Sequence, residues 1–337
     1  QALPEFSEFI RRKTYMLANA FDQKGKLLDN IQSTLKAPKP PKRIVTPVKT
    51  ELMVKEIEAL KEGDYRLLQS KNYEVSETQP VTNEVKLASD ISWEMLNPAR
   101  GKKSPLAGTI WGDRKGAEPT GFLVKFIDGF SSPPHIHNVS YRGIVIKGLV
   151  HNDDSSAQEM WMPKGSYWTQ PKGQQHITAA KGEENIAYIE IENSPYLVKP
   201  VSEAFESNEK PINVDITNLV WLSEQNISNI KGAAKISYLW GKPTKDSLYG
   251  TFLKLPQGFN GTIYSEGSIF RGVVIDQELE YQIPNDSIQY QLKPGSSFTS
   301  KGIAGHVINS STESLIYIRT NGNYKVFSKK SSKVNLE

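Results

Sequence analysis

The chain contains no cysteine, which excludes disulfides and thiolate metal ligands, so any metal must rest on nitrogen and oxygen. That absence does not choose a redox compartment, because oxidising and reducing surroundings both permit it. No apolar run approaches the roughly 20 residues of a membrane-spanning helix, so no span is expected. A secretory signal core is also missing, and the chain opens on Gln1 rather than Met. A mature exported or periplasmic protein and a trimmed cytoplasmic chain both fit that start, with the balance toward export. The body carries no excess of positive charge. The net charge is +4, but residues 1–50 hold ten Lys/Arg and four Asp/Glu, a local +6 that leaves −2 for the rest. Nucleic acid is therefore a poor partner for the body.

What is present points to strands. Short apolar-alternating runs separated by Gly, Pro and polar turns dominate everything after about Tyr65, the pattern of an all-β body. The 337 residues suffice for two domains with proper cores. Residues 5–35 read differently. Phe6, Phe9, Ile10, Leu17 and Phe21, then Leu27, Leu28, Ile31 and Leu35, recur at helical spacing. Ala37–Lys42, rich in proline, is an expected extended link. A further helix is expected from Thr46-Pro47 to about Gly63. The stripes on this arm fit packing against the body or a sister subunit, which leaves a homodimer open.

Histidine is scarce, with five in all, and three of them fall where they could meet. Pro133-Pro134 bring the chain into His135-Ile136-His137, whose flanks favour strand. Alternation in a strand turns His135 and His137 to the same face. His176, in Pro171-Lys172-Gly173-Gln174-Gln175-His176, supplies a third imidazole. The expectation is a three-histidine metal centre in a β-barrel.

The second half of the body repeats the first. Gly129 through Ile146 aligns without gaps with Gly258 through Ile275, and the same register pairs Trp111 with Trp240 and Arg142 with Arg271. Further on, Gly165 matches Gly295 and His176 matches His306. Two copies of one β domain are expected, joined by a link from Pro195 to Pro211. Tyr264 and Glu266 replace His135 and His137 in the second copy, so it should hold no metal. Glu266 and His306 are expected to form a buried hydrogen-bonded pair there, and His151 to be a solvated turn residue. The shared Arg142, Arg271, Lys125 and Lys254 read first as ion-pair partners.

With the spacings in hand, the first copy resembles a cupin. Gly129, His135-x-His137, position 141 and Gly148 follow the first cupin motif, and Gly165, Pro171-x-Gly173 and His176 the second. The two-copy arrangement resembles bicupins, in particular double-cupin proteins grouped with the ChrR-like anti-sigma cupin domain. The resemblance covers about residues 76–325 and implies two tandem double-stranded β-helix (jelly-roll) barrels; the N-terminal α-helical arm, read from its spacing, lies outside it. The arm with its linker would occupy residues 1–64, the metal-binding domain 76–200 and a degenerate, metal-free domain 205–325. It implies His135, His137 and His176 as ligands of one divalent ion, with Tyr141 where cupins carry a glutamate and Ala180 where they carry asparagine.

Three imidazoles and an open position suit zinc, iron, manganese or nickel, and the residues do not choose among them. The alternative is that the three histidines are only hydrogen-bonded core residues, an uneconomical filling because each ring nitrogen needs a partner. Tyr141 is the candidate catalytic residue, its hydroxyl bonding bound water or substrate, unless it merely fills the space of the missing carboxylate. Trp161, Tyr167 and Trp168 could line a pocket beside the metal. Two functions stay open. One is a metal-dependent enzyme on a small molecule, of oxygenase or hydrolase/isomerase type. The other is a non-enzymatic metal- or ligand-binding sensor related to anti-sigma cupin domains.

Overall fold

A computed structural model describes residues 82–244 and 246–329. The expected helical arm and its linker, residues 1–64, lie outside the described residues. The described chain is nearly all β, as its alternation implies, and no helix among the described residues is long and apolar enough to cross a membrane.

The first half runs through β1 (Glu84–Lys86), β2 (Glu94–Met95), β3 (Leu106–Trp111), β4 (Thr120–Phe126) and β5 (Ile136–His137). It continues with β6 (Tyr141–Asp153), β7 (Tyr167–Gln170), β8 (Ile177–Ile191) and β9 (Val198–Lys199). The second half opens with β10 (Ile212–Val214), β11 (Lys235–Gly241), β12 (Tyr249–Leu255), β13 (Phe259–Ser265), β14 (Phe270–Asp276) and β15 (Leu279–Gln282). Its remaining strands are β16 (Gln289–Leu292), β17 (Ser297–Ser300), β18 (Ala304–Ser310), β19 (Ser314–Thr320) and β20 (Tyr324–Ser328).

The repeat is visible in the sheets. One carries the order β7-β6-β8-β4-β3 and the other β17-β14-β19-β12-β11, position for position the same. Each sheet then gains an outer strand from the other half of the sequence. β1 lies antiparallel on β17, with Val85 opposite Phe298, and β10 lies antiparallel on β7, with Asn213 opposite Trp168. The matched glycines bend alike: φ is 67° at Gly129 and 73° at Gly258, a left-handed turn that a Cβ would strain.

The alternation of side chains explains why several strands read as unbroken apolar runs. On β4, Phe122, Val124 and Phe126 enter the first core while Leu123 points the other way. On β19, Ile316 and Ile318 enter the second core, and Leu315 and Tyr317 turn outward. The outward residues of both halves form a third apolar layer between the sheets, so these strands are buried on both faces. The layer is held by matched polar contacts. Trp111 Nε1 donates to Tyr188 (3.1 Å) and Trp240 Nε1 to Tyr317 (2.9 Å). The Arg142 guanidinium lies 3.7 Å from the Trp240 ring centroid, and that of Arg271 lies 4.0 Å from Trp111. Lys125 pairs with Glu184 and Lys254 with Glu313.

A close approach fixes one aromatic in each core. A Cβ on Gly143 would stand 2.1 Å from Trp168, and one on Gly272 would stand 2.4 Å from Phe298. Glycine at both positions lets the indole and the phenyl lie flat on the strand.

Candidate metal centre

The three histidines meet through backbone pairing. His135 and His176 stand opposite each other and exchange both main-chain hydrogen bonds, each 3.0 Å. β5 pairs with β9, and Ile136, fully buried, turns away from the two imidazoles that flank it. One ring nitrogen of each histidine lies within 4.8 Å of the others, the one such group among the described residues.

Their hydrogen bonds select the nitrogens that face inward. Each Nδ1 faces a main-chain carbonyl: His135 that of Pro133 (2.9 Å), His137 that of Leu197 (3.1 Å) and His176 that of Gln174 (3.3 Å). A carbonyl only accepts, so each Nδ1 carries the proton and each Nε2 keeps its lone pair. The Nε2 atoms of His135 and His137 are 3.2 Å apart, an arrangement that a shared cation relieves. Carbonyl-anchored Nδ1 atoms behind converging Nε2 atoms are the surroundings of a histidine metal ligand. Burial lowers the pKa of all three, pushing His176 down to about 3 with His135 adding to the effect. Neutral imidazole is the form that binds a metal. The donor set therefore fits a divalent transition ion held by three nitrogens.

Two phenols face the group. Tyr141 donates its hydroxyl proton to Asn152 Oδ1 (2.8 Å), and its oxygen lies 3.3 Å from His176 Nε2. Asn152 also accepts from Thr178 (2.7 Å) and donates to Gln170 (3.0 Å), which fixes the direction of the Tyr141 proton. Tyr196, which no cupin motif marks, stacks on His137 with centroids 4.3 Å apart and brings its hydroxyl 3.0 Å from His137 Nε2. Burial raises both phenols well above their ordinary pKa, so they stay protonated. The signal for Tyr196 was absent because it sits beyond the repeated strands, brought in by the segment that leads to β9.

A cavity of about 420 Å³ opens on His135, His137 and Tyr141. Its walls are largely apolar, with Phe126, Phe130, Trp168 and Ile189, and Arg100 is its one cation among the described residues. Of the other aromatics expected near the metal, Tyr167 belongs to the layer between the sheets and Trp161 lies against His151.

Two expectations are corrected. His151 is no solvated turn residue: β6 carries the polar stretch on as far as Asp153, and His151 is buried, its Nδ1 accepting from Met160 N (3.2 Å). Glu266 does not pair with His306. It is exposed and forms an ion pair with Lys325. His306 instead lies fully buried, with Nδ1 receiving Asn83 Nδ2 (3.2 Å) and Tyr281 (2.8 Å), and Nε2 meeting Ser300 (3.1 Å). Two donors at Nδ1 put the proton on Nε2, the opposite tautomer to the three histidines of the first half. Phe270, in the place of Tyr141, stacks on its ring at 4.7 Å.

A three-histidine pocket in the core of the first half, whose strand order the second half repeats, is the arrangement of a cupin. Over residues 84–327 the chain matches the family described as Domain of unknown function (DUF4437), a cupin-like family, and belongs to it. A solved structure of a candidate dioxygenase from Nostoc punctiforme is 14% identical, covering 75% of this chain and 89% of that one, with a TM-score of 0.55. Salicylate 1,2-dioxygenase from Pseudaminobacter salicylatoxidans is 12% identical over 84% of this chain and 99% of its own, with a TM-score of 0.49. Oxalate decarboxylase from Bacillus subtilis, described with Mn(II) centres, is 9% identical over 75% and 81%, also at 0.49. Comparison with curated proteins gives no match.

Proposed function

We propose that the chain is a bicupin whose first domain, 76–200, holds one divalent metal on His135, His137 and His176, and whose second, 205–325, is metal-free. We further propose that it is a metal-dependent enzyme acting on a small, largely apolar molecule, by oxygenase or hydrolase/isomerase chemistry. The observation that carries this reading is the set of inward Nε2 atoms, each backed by an anchored Nδ1, beside a cavity of about 420 Å³. In a purely structural histidine each ring nitrogen has a complementary protein partner, as in His306, whereas here the Nε2 atoms of His135 and His137 face each other at 3.2 Å, lone pair to lone pair.

A bound ion would act as a Lewis acid or activate water. The chain's own residues supply the rest. Phe126, Phe130, Trp168 and Ile189 receive an apolar substrate body and exclude water. Tyr196, protonated at any working pH, can donate its hydrogen bond to a polar atom of the substrate next to His137. Tyr141 is held by Asn152 with its lone pairs toward His176, so it accepts rather than donates on that side. The glutamate that cupins place there would add a charge and take a coordination position, whereas a neutral phenol leaves that position free.

The test is elemental analysis of protein purified without chelators or added metal, beside His135→Ala and His176→Ala. The expected result is one metal per chain, lost in both variants while the fold is retained by circular dichroism. Iron would direct substrate screening to oxygen chemistry and zinc to hydrolysis. Stoichiometry unchanged in the variants, or no metal in the wild-type protein, would end this reading.

A further inference from the structure

The layer between the two sheets contains an arginine whose twin is neutralised and which is not neutralised itself. Arg142 stands opposite Glu190 across the strands and donates to Glu192 Oε1 at 2.6 Å. At the matching places in the second half, Arg271 stands opposite Arg319, and Asn321 takes the position of Glu192. Asn321 is turned to other work: its oxygen accepts from Ile269 N (2.9 Å) and its nitrogen donates to Ser268 (2.8 Å). Glu190 and Glu192 cannot make up the difference. Glu192 holds Arg319 with two bonds, 2.8 and 2.6 Å, while Glu190 receives Tyr317 (2.8 Å) and Arg319 (3.3 Å). Three guanidinium groups thus share two carboxylates.

The surplus charge rests on Arg271. Among the described residues its guanidinium has no hydrogen bond and no ion pair, only the face of Trp111 at 4.0 Å. Partial burial and the neighbouring Arg319 lower its pKa, the mark of a cation short of negative charge. It lines a cleft of about 360 Å³ together with Lys86, Lys301 and Thr299, and the one acid of that lining is Glu84. The strand bearing Lys86 is the exchanged β1, just as β10 borders the twin cleft at Arg142.

We propose that the Arg271 cleft binds a small carboxylate, separate from the three-histidine pocket. The class of ligand is read from the twin: there a carboxylate on a short methylene chain, Glu192, occupies the place that stands open beside Arg271. A guanidinium over an indole face presents its donor edge to such a group. Lys86 and Lys301 add attraction at the mouth, and Thr299 a hydroxyl.

The experiment titrates propionate into the full chain and follows the Trp111 indole N–H resonance by NMR, assigned with Trp111→Phe. Inorganic phosphate is the comparison probe. The expected result is one saturable propionate site per chain, weakened at least about tenfold in Arg271→Gln, as for loss of a charge-assisted hydrogen bond. Asn321→Glu supplies the missing carboxylate from within the chain, so it should abolish propionate binding while keeping or raising the melting temperature. Binding in His135→Ala should be unchanged, which separates this site from the metal centre. No saturable response to propionate, unaltered binding in both Arg271→Gln and Asn321→Glu, or a phosphate response in place of the propionate one would each overturn the proposal.

Discussion

The buried histidine of the second half makes a quantitative prediction about acid stability. His306 is fully buried, and burial pushes its pKa from the ordinary 6.5 down to about 3. In the unfolded chain it protonates near 6.5, while in the folded chain it stays neutral until about pH 3. Between those limits the unfolded state binds more protons, so stability rises with pH. The contribution is complete above about pH 6.5 and drains away as pH falls toward 3. Each pH unit in that window costs about 1.4 kcal/mol, so the step from pH 6.5 to 4.5 costs about 3 kcal/mol and the whole window about 5 kcal/mol. His306→Gln keeps a donor for Ser300 and an acceptor for Tyr281 but cannot take up the proton. Urea unfolding of both proteins across pH 7.5 to 4.5, with metal removed from each, isolates the residue, since every other titrating group is common to the pair. Wild type should lead the variant by a constant margin near neutrality, and that margin should shrink by about 3 kcal/mol by pH 4.5. A margin that does not change with pH would refute the reasoning, because His306 would then not titrate differently in the two states.

Three further outcomes follow from contacts described above. Glu190→Ala removes a carboxylate that is 1% exposed from Arg319, also 1% exposed, and should destabilise by about 3–5 kcal/mol in denaturant titration. A loss under about 1 kcal/mol would show that Glu192 alone satisfies that arginine. Tyr141→Phe leaves Asn152 Oδ1 still bonded to Thr178 and should cost about 1 kcal/mol with metal content unchanged, checked by melting and elemental analysis together. Tyr196→Phe should keep the fold and lower metal affinity or activity by about 10- to 100-fold. An unaltered metal affinity and activity would reduce Tyr196 to a packing residue.

Much of this was legible in the chain because the repeat acts as an internal comparison. Matched glycines, tryptophans and arginines mark positions the fold requires, and those positions do fall at equivalent turns and contacts between the sheets. The three histidines were legible because period-two alternation and motif spacing are local properties. Tyr196 and Asn152 were not, since they reach the pocket through strand pairing and through the segment ahead of β9, which no local pattern encodes. His151 misled for a physical reason. A run of His, Asn, Asp and Asp looks like a turn when its neighbours are unknown, but β8 extends far enough to pair with it. The Glu266–His306 expectation fails because positions that match the first copy's ligands need not touch: Glu266 pairs with Lys325, while Asn83 and Tyr281 hold the imidazole. The helical arm is legible only as a pattern, since it lies outside the described residues.

The reciprocal loan of β1 and β10 has a consequence for what the duplication permits. Each half completes the other's sheet with its leading strand, which is how an isologous, strand-swapped homodimer is built. In a true homodimer every substitution is made twice, so both pockets keep their histidines or both lose them, and each Arg142 meets the same neighbours as its twin. Writing the dimer as one chain removes that constraint. One pocket can keep its imidazoles while its counterpart becomes packed core, and one arginine can keep its glutamate while the other is left open. The cost is that neither half is a separable module. A fragment cut between β9 and β10 would expose the edge of β7 and strand β1 without its partner, so expression of either half alone should give an aggregating chain.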